Sequence, residues 1–177
     1  MKPLAFATLL LATAFAHAAP PDASKLLADA KAQAKKERKS VLVVFHASWC
    51  GWCKKFEAML NDPKLQPTFD RNYVIVRLDV LESATKKDEE NPGGEATMAV
   101  LGGKDAGLPF FAILSPDGSK LGDSLITPGN AKTNTGHPSA PEEIAHFMAL
   151  LKSTAKKANE AQRGKVEAYL KADAAKR

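Results

Sequence analysis

The chain has 177 residues, 45% hydrophobic and 25% charged, a globular balance long enough to bury the core of one domain. Its formal charge of +5 favours solubility and acidic partners. It leaves no nucleic-acid footprint, because the basic runs Lys35-Lys36-Glu37-Arg38-Lys39 and Lys156-Lys157 carry no interleaved aromatics to stack bases and read as solvated helix faces. Two cysteines, Cys50 and Cys53, make up the whole complement.

Met1-Lys2 gives a short positive start, and Leu4 to Ala19 then runs without a charge. That run falls short of the ~20 apolar residues of a membrane helix. Ala16-His17-Ala18 supplies a small-x-small cleavage signature, and Pro20-Pro21 would break any helical continuation. Residues 1–18 are therefore expected to be a signal peptide cut after Ala18, delivering a periplasmic or secreted chain. No cysteine lies near the cut to carry a lipid. The expected division is a domain over 19–152 and a C-terminal helical extension over 153–177.

Pro21-Asp22 opens a helix whose apolar positions are Leu26, Leu27, Ala30 and Ala34, with Ser40 as its end. Val41 to Phe45 is a continuous β-branched and aromatic run, the pattern of a strand buried on both faces. From Gly51 to Leu60 the period turns helical, with Cys53, Phe56, Glu57 and Leu60 on one face. Asn61-Asp62-Pro63 stops that helix and starts a short one kinked at Pro67. Tyr73 to Val80 reads as a second core strand, and residues 82–93 as an exposed loop ending in Asn91-Pro92-Gly93-Gly94. A short helix through Met98 to Leu101 precedes a third strand, Pro109 to Leu114. Pro116-Asp117-Gly118 turns the chain into a strand from Lys120 to Leu125. Residues 127–140 form a long loop. Helices follow from Pro141 through Leu151, and around Val166, Tyr169 and Leu170. The order predicts an α/β fold with a small mixed sheet of about four strands: a parallel pair early, an antiparallel hairpin late, and helices on both sides.

A bridge between Cys50 and Cys53 closes too small a loop to constrain the unfolded chain much, so the pair is a poor staple and must be kept for reactivity. Cys50 falls just after a buried strand, at the first turn of a helix. There the unpaired backbone N–H groups and the positive helix end stabilise a thiolate, and an attacking thiol so placed is depressed to roughly 3.5–7.5. Cys53, one turn on, is placed to attack the mixed disulfide and release substrate.

Trp49-Cys50-Gly51-Trp52-Cys53-Lys54 resembles the active-site motif of the thioredoxin family, whose commonest form has proline where Trp52 stands. The similarity runs from about Val41 to Leu150 and includes Leu108-Pro109, which falls where that family has a cis-proline. His46-Ala47-Ser48 and Lys54-Lys55-Phe56-Glu57 look closest to secretory-pathway and periplasmic members. The resemblance implies a protein thiol–disulfide oxidoreductase that works through a reversible Cys50–Cys53 disulfide without a cofactor. Its partners would be substrate proteins with cysteines or disulfides and a membrane or soluble thiol-redox protein, with the chain a monomer. It also implies a substrate face of Trp49, Trp52, Leu108 and Pro109, with the Leu108 backbone offered for strand pairing.

Two departures from that family pattern bear on chemistry. Cytoplasmic members carry a buried aspartate six residues before the first cysteine, and Val44 stands there. Glu57 lies four residues after Cys53 and is the candidate replacement, a partly buried carboxylate with a raised pKa able to take the Cys53 proton; the alternative is a helix-surface carboxylate paired with Lys54 or Lys55. Trp52 adds no charge, so the direction of electron flow is not written in the motif. Arg77 on the second strand reads either as a residue under the site or, by preference, as a surface salt-bridge former, His46 as a satisfied strand-end histidine, and His137 and His146 as surface residues.

The competing reading is a copper or zinc module on the two thiolates. Structural zinc takes four ligands, and only His46 is near the pair, whereas copper(I) accepts two thiolates. Neither metal gives a use to the tryptophans around the cysteines or to Leu108-Pro109. A vestigial structural disulfide is the third reading, and such a pair would more readily have lost one cysteine.

Overall fold

In the computed structural model, which describes residues 19–127 and 132–176, Asp22 caps the first helix by accepting the Ser24 N–H at 2.8 Å. The expected signal peptide lies outside the described residues. Helix α1 spans Ala23–Glu37 and ends at Arg38, whose φ of 54° is the left-handed turn that closes many helices. Ser40, expected to end that helix, instead begins strand β1 (Ser40–His46) opposite Tyr73.

β1 lies inside a four-stranded sheet of order β2-β1-β3-β4. It runs parallel to β2 (Tyr73–Asp79) and antiparallel to β3 (Phe110–Leu114), which pairs antiparallel with β4 (Lys120–Asp123). Strand side chains alternate between faces. Val41, Val43 and Phe45 therefore pack with Ala30 and Ala34 of α1, while Leu42 and Val44 enter the opposite core around Phe56, Phe111 and Phe147. Both faces being covered explains the unbroken apolar run.

Helix α2 is Gly51–Leu60, as its period predicts, with Cys53, Phe56, Met59 and Leu60 buried. Helix α3 (Gln66–Asn72) begins rather than kinks at Pro67. The proline sits in the first turn, where its missing N–H has no helical acceptor to lose. The segment after β2 is less exposed than expected. Glu82 and Asn91 are buried around a 3₁₀ turn at Ala84–Glu89, and Asn91 bonds the Asp79 N–H at 2.7 Å and the Pro21 carbonyl at 2.8 Å. Backbone groups at the sheet end needed partners, and the Asn91 side chain supplies them. Helix α4 (Gly94–Met98) continues as a π turn over Ala99–Gly103.

The last expected strand breaks at Ser124, a fully buried residue whose hydroxyl accepts the Phe111 N–H at 3.1 Å. Beyond it, β5 (Leu125–Ile126) pairs antiparallel with β6 (Thr133–Asn134), a short ribbon inside the expected loop. Helix α5 (Pro141–Thr154) starts at its proline, with the Glu143 carboxylate accepting the Ser139 and Ala140 N–H groups. It runs past residue 152. Helix α6 (Glu160–Ala174) is no appendage, since Val166 and Leu170 are fully buried in the same core as Phe56, Phe111 and Phe147. The expected boundary after residue 152 thus cuts through α5 and through a shared core.

Candidate active site at the head of the second helix

β1 delivers the chain to a short loop, Ala47 to Trp49, and Cys50 follows as the N-cap of α2. Its sulfur accepts the Cys53 N–H at 3.0 Å. Capping is usually the work of an oxygen side chain; here the sulfur occupies the place where orphan N–H groups and the helix dipole favour negative charge. Cys50 and Cys53 are joined, with an S–S distance of 2.04 Å. Both are buried, at 3% and 5% exposure, in a small cluster with Ala47 and Leu108. The Leu108–Pro109 peptide bond is cis, and Asn134 of β6 donates to the Pro109 carbonyl at 3.0 Å.

The tryptophans flank the pair and stay open to solvent, Trp49 at 59% and Trp52 at 44% exposure. The Trp49 indole N–H donates to the Leu81 carbonyl at 2.8 Å. Beneath this loop Glu82 accepts both the Ser48 N–H and the Ser48 hydroxyl. Burial raises the Glu82 carboxyl, but the two Ser48 bonds, together with Lys86 and the Ser83 N–H, hold it below its ordinary value. Glu82 was placed by sequence in an exposed loop. Its only legible signal was a lone acid beside the end of a core strand.

On one side of the pair lies a cleft of about 360 Å³ lined by Val44, His46, Cys53, Lys54 and Glu57. Glu57 does reach the Cys53 side, but not as a free base. Arg77 reaches it with Nη2 at 2.6 Å and Nε at 2.9 and 3.0 Å, and Asn61 donates at 2.7 Å. Burial raises the Glu57 carboxyl, yet the Arg77 and Asn61 bonds, with the nearby Arg77 charge and His46, hold it below its ordinary value. This reverses the expected shift, because sequence spacing hid the cation arriving from β2. Arg77 does form a salt bridge, and Glu57 is its partner.

His46 lines the same cleft. Its Nδ1 lies 3.4 Å from Asp79 Oδ1, while its buried Nε2 has no hydrogen-bond partner among the described residues. It is therefore not the satisfied strand-end histidine expected. Burial holds the Asp79 carboxyl above its ordinary value, with His46 acting against that shift.

The other side is a groove of about 490 Å³ between Trp52, Leu108, Thr135 and His137. His137, expected at the surface, is 2% exposed. It stacks on Trp52 at 6.4 Å between ring centres and meets Phe56 edge-on. Its Nε2 lies 3.3 Å from Asp173 of α6, which also accepts from Lys55 of α2 at 3.0 Å. Lys55 Nζ in turn lies 5.5 Å from the centre of the Trp52 ring. The folding-back of α6 puts these residues here, and no local pattern announces it. His146 is likewise half-buried, its Nε2 donating to the Asp123 carbonyl at 2.7 Å. Among the described residues, no three His, Cys, Asp or Glu side chains gather as a metal-ligand group.

Comparison with known proteins agrees with this geometry. Residues 22–116 match the family described as "Thioredoxin-like". A protein disulfide-isomerase of Aspergillus oryzae is 31% identical over 113 residues, which cover 58% of this chain and 21% of that protein. The chain thus spans about a fifth of that relative's length. A solved disulphide isomerase from Xylella fastidiosa shares the fold at a TM-score of 0.50 and 20% identity, over 92% of this chain and 98% of that one. The mixed sheet, the disulfide at the head of α2 and the match across more than half of its length make this chain a member of the thioredoxin-like family.

Proposed function

We propose that the chain is a thiol–disulfide oxidoreductase that exchanges two electrons with cysteines of substrate proteins through the Cys50–Cys53 disulfide. The observation that carries this reading is the Cys53 N–H pointing at Cys50 Sγ from the first turn of α2, which favours a thiolate on Cys50 in the reduced state. Cys50 then attacks a substrate disulfide and forms a mixed disulfide. Cys53 attacks Cys50 Sγ, the Cys50–substrate bond breaks, and the substrate leaves with the electron pair. Every step is reversible, so the reduction potential of the pair sets the direction. A value near about −270 mV marks a reductase and one near about −120 mV an oxidant.

Exposed Trp49 and Trp52, with Leu108 beside Pro109, supply the face on which a substrate segment would lie. Glu57, paired with Arg77, serves to hold α2 against β2 beneath the cysteines. A second thiol-redox protein would restore the working state of the pair. The apolar segment before Ala19 supports a site of action outside the cytoplasm, and the mass of the exported chain should place Ala19 first. Retention of Met1 would reject that compartment.

Trapping tests the reaction. The Cys53→Ser chain should accumulate mixed disulfides with substrate proteins and Cys50→Ser should not. The reverse pattern would overturn the order of the two thiols, and trapping by neither would overturn the activity.

A further inference from the structure

We propose that His46, not Glu57, is the group that accepts the Cys53 proton during release of the mixed disulfide. The proposal rests on the resolving role given above to Cys53.

The need comes from burial. Cys53 is 5% exposed and sits among apolar atoms, where a thiol keeps its proton unless a base takes it. Val44 cannot titrate, and both Glu57 oxygens are engaged by Arg77. His46 remains. It ends β1, four residues before Cys50, and lines the same cleft as Cys53.

The imidazole is also oriented for the task. Asp79 Oδ1 lies 3.4 Å from Nδ1, and a proton placed on that nitrogen leaves the lone pair on Nε2, the buried nitrogen that no described group engages. An imidazole with a carboxylate beside one nitrogen and no partner on the other suits the role of a general base. The charged groups around it are Asp79 from β2 and Glu57 and Lys54 from α2, with Glu82 beyond Asp79 and Arg77 behind Glu57.

The step balances. Nε2 takes the Cys53 proton, the Cys53 sulfur bonds to Cys50 Sγ, and the Cys50–substrate S–S bond breaks. The substrate thiolate departs with the electron pair, and the imidazolium returns its proton to the thiolate or to solvent. In the opposite direction His46 donates that proton to the Cys53 thiolate.

The test follows the reduced full chain with an aromatic disulfide that releases a coloured thiolate. Attack by Cys50 releases the first equivalent and resolution by Cys53 the second. In His46→Phe the second phase should slow by roughly 10²-fold or more, the typical worth of general-base help. The first phase should change by less than about threefold, since the helix terminus acts on Cys50 without His46. His46→Gln, which keeps a polar side chain but cannot titrate, should behave alike, and free imidazole should accelerate His46→Ala. Wild-type second-phase rates in the Phe and Gln variants would overturn the proposal. A wild-type chain that never releases a second equivalent would instead overturn the resolving role of Cys53.

Discussion

If α6 is part of the core, a single cut in its buried face should weaken the whole molecule. Leu170 is fully buried and shares its cluster with Leu42, Val44, Phe56 and Phe147. Leu170→Ala removes three carbons from that cluster. The lost transfer free energy alone is about 2–2.5 kcal/mol, at ~0.8 kcal/mol per methylene. A void that fails to collapse adds a further cost, which places the substitution in the usual range of about 2–5 kcal/mol. Alanine's better helix propensity returns only a few tenths of a kcal/mol. Urea unfolding followed by far-ultraviolet circular dichroism should therefore show one transition, shifted to lower denaturant with an unchanged slope. Lys165→Ala, on the exposed side of the same helix, should move it by less than about 0.5 kcal/mol. An unshifted midpoint for Leu170→Ala, or a separate early transition with the main one intact, would show that α6 folds as an independent extension.

Glu82→Gln should loosen the loop before Cys50 and lower stability at neutral pH by about 1.5–3 kcal/mol, the worth of a hydrogen bond to a charged group. Because the folded Glu82 carboxyl is held below its ordinary value, its contribution is complete above the unfolded pKa of about 4.3 and is lost as pH falls through the folded value. The gap between wild type and variant in urea titrations should therefore close on acidification; a gap that widens would contradict the sign. Glu57→Gln should cost no more than about 1 kcal/mol, because both partners of its ion pair are 37% exposed and water screens them. Its second phase with the aromatic disulfide should run within about threefold of the wild-type rate, and a slowing of roughly 10²-fold would return the proton-acceptor role to Glu57.

The fold was legible where one physical cause dominated. The unbroken run Val41 to Phe45 could only be a strand covered twice, and the period from Gly51 to Leu60 gave α2 its observed bounds. The place of Cys50 at the head of that helix was readable for the same reason. What stayed hidden came from long-range contact. Arg77 meets Glu57 because β2 lies beside β1 in register, Val44 opposite Arg77, and spacing along α2 alone does not contain that pairing. His137 and Asp173 meet because α6 folds back, bringing together residues 36 positions apart. His46 looked ordinary because a histidine at a strand end usually finds its partners, and only the folded structure reveals that Nε2 has none among the described residues. Pro67 misled through a rule about helix interiors applied to a residue of the first turn.

The central place of β1 matters before the protein is finished. β1 and α2 leave the ribosome early, whereas Leu108, which packs over the cysteines, and β3, which pairs with the free edge of β1, come some 60 residues later. The covering helix α6 comes later still. A nascent chain therefore carries its two thiols and an open strand edge before anything shields them, when side reactions and mispairing are least opposed. The reactive centre is most vulnerable during synthesis, and a cellular environment that keeps those thiols reduced until β3 and α6 have docked would raise the yield of active protein.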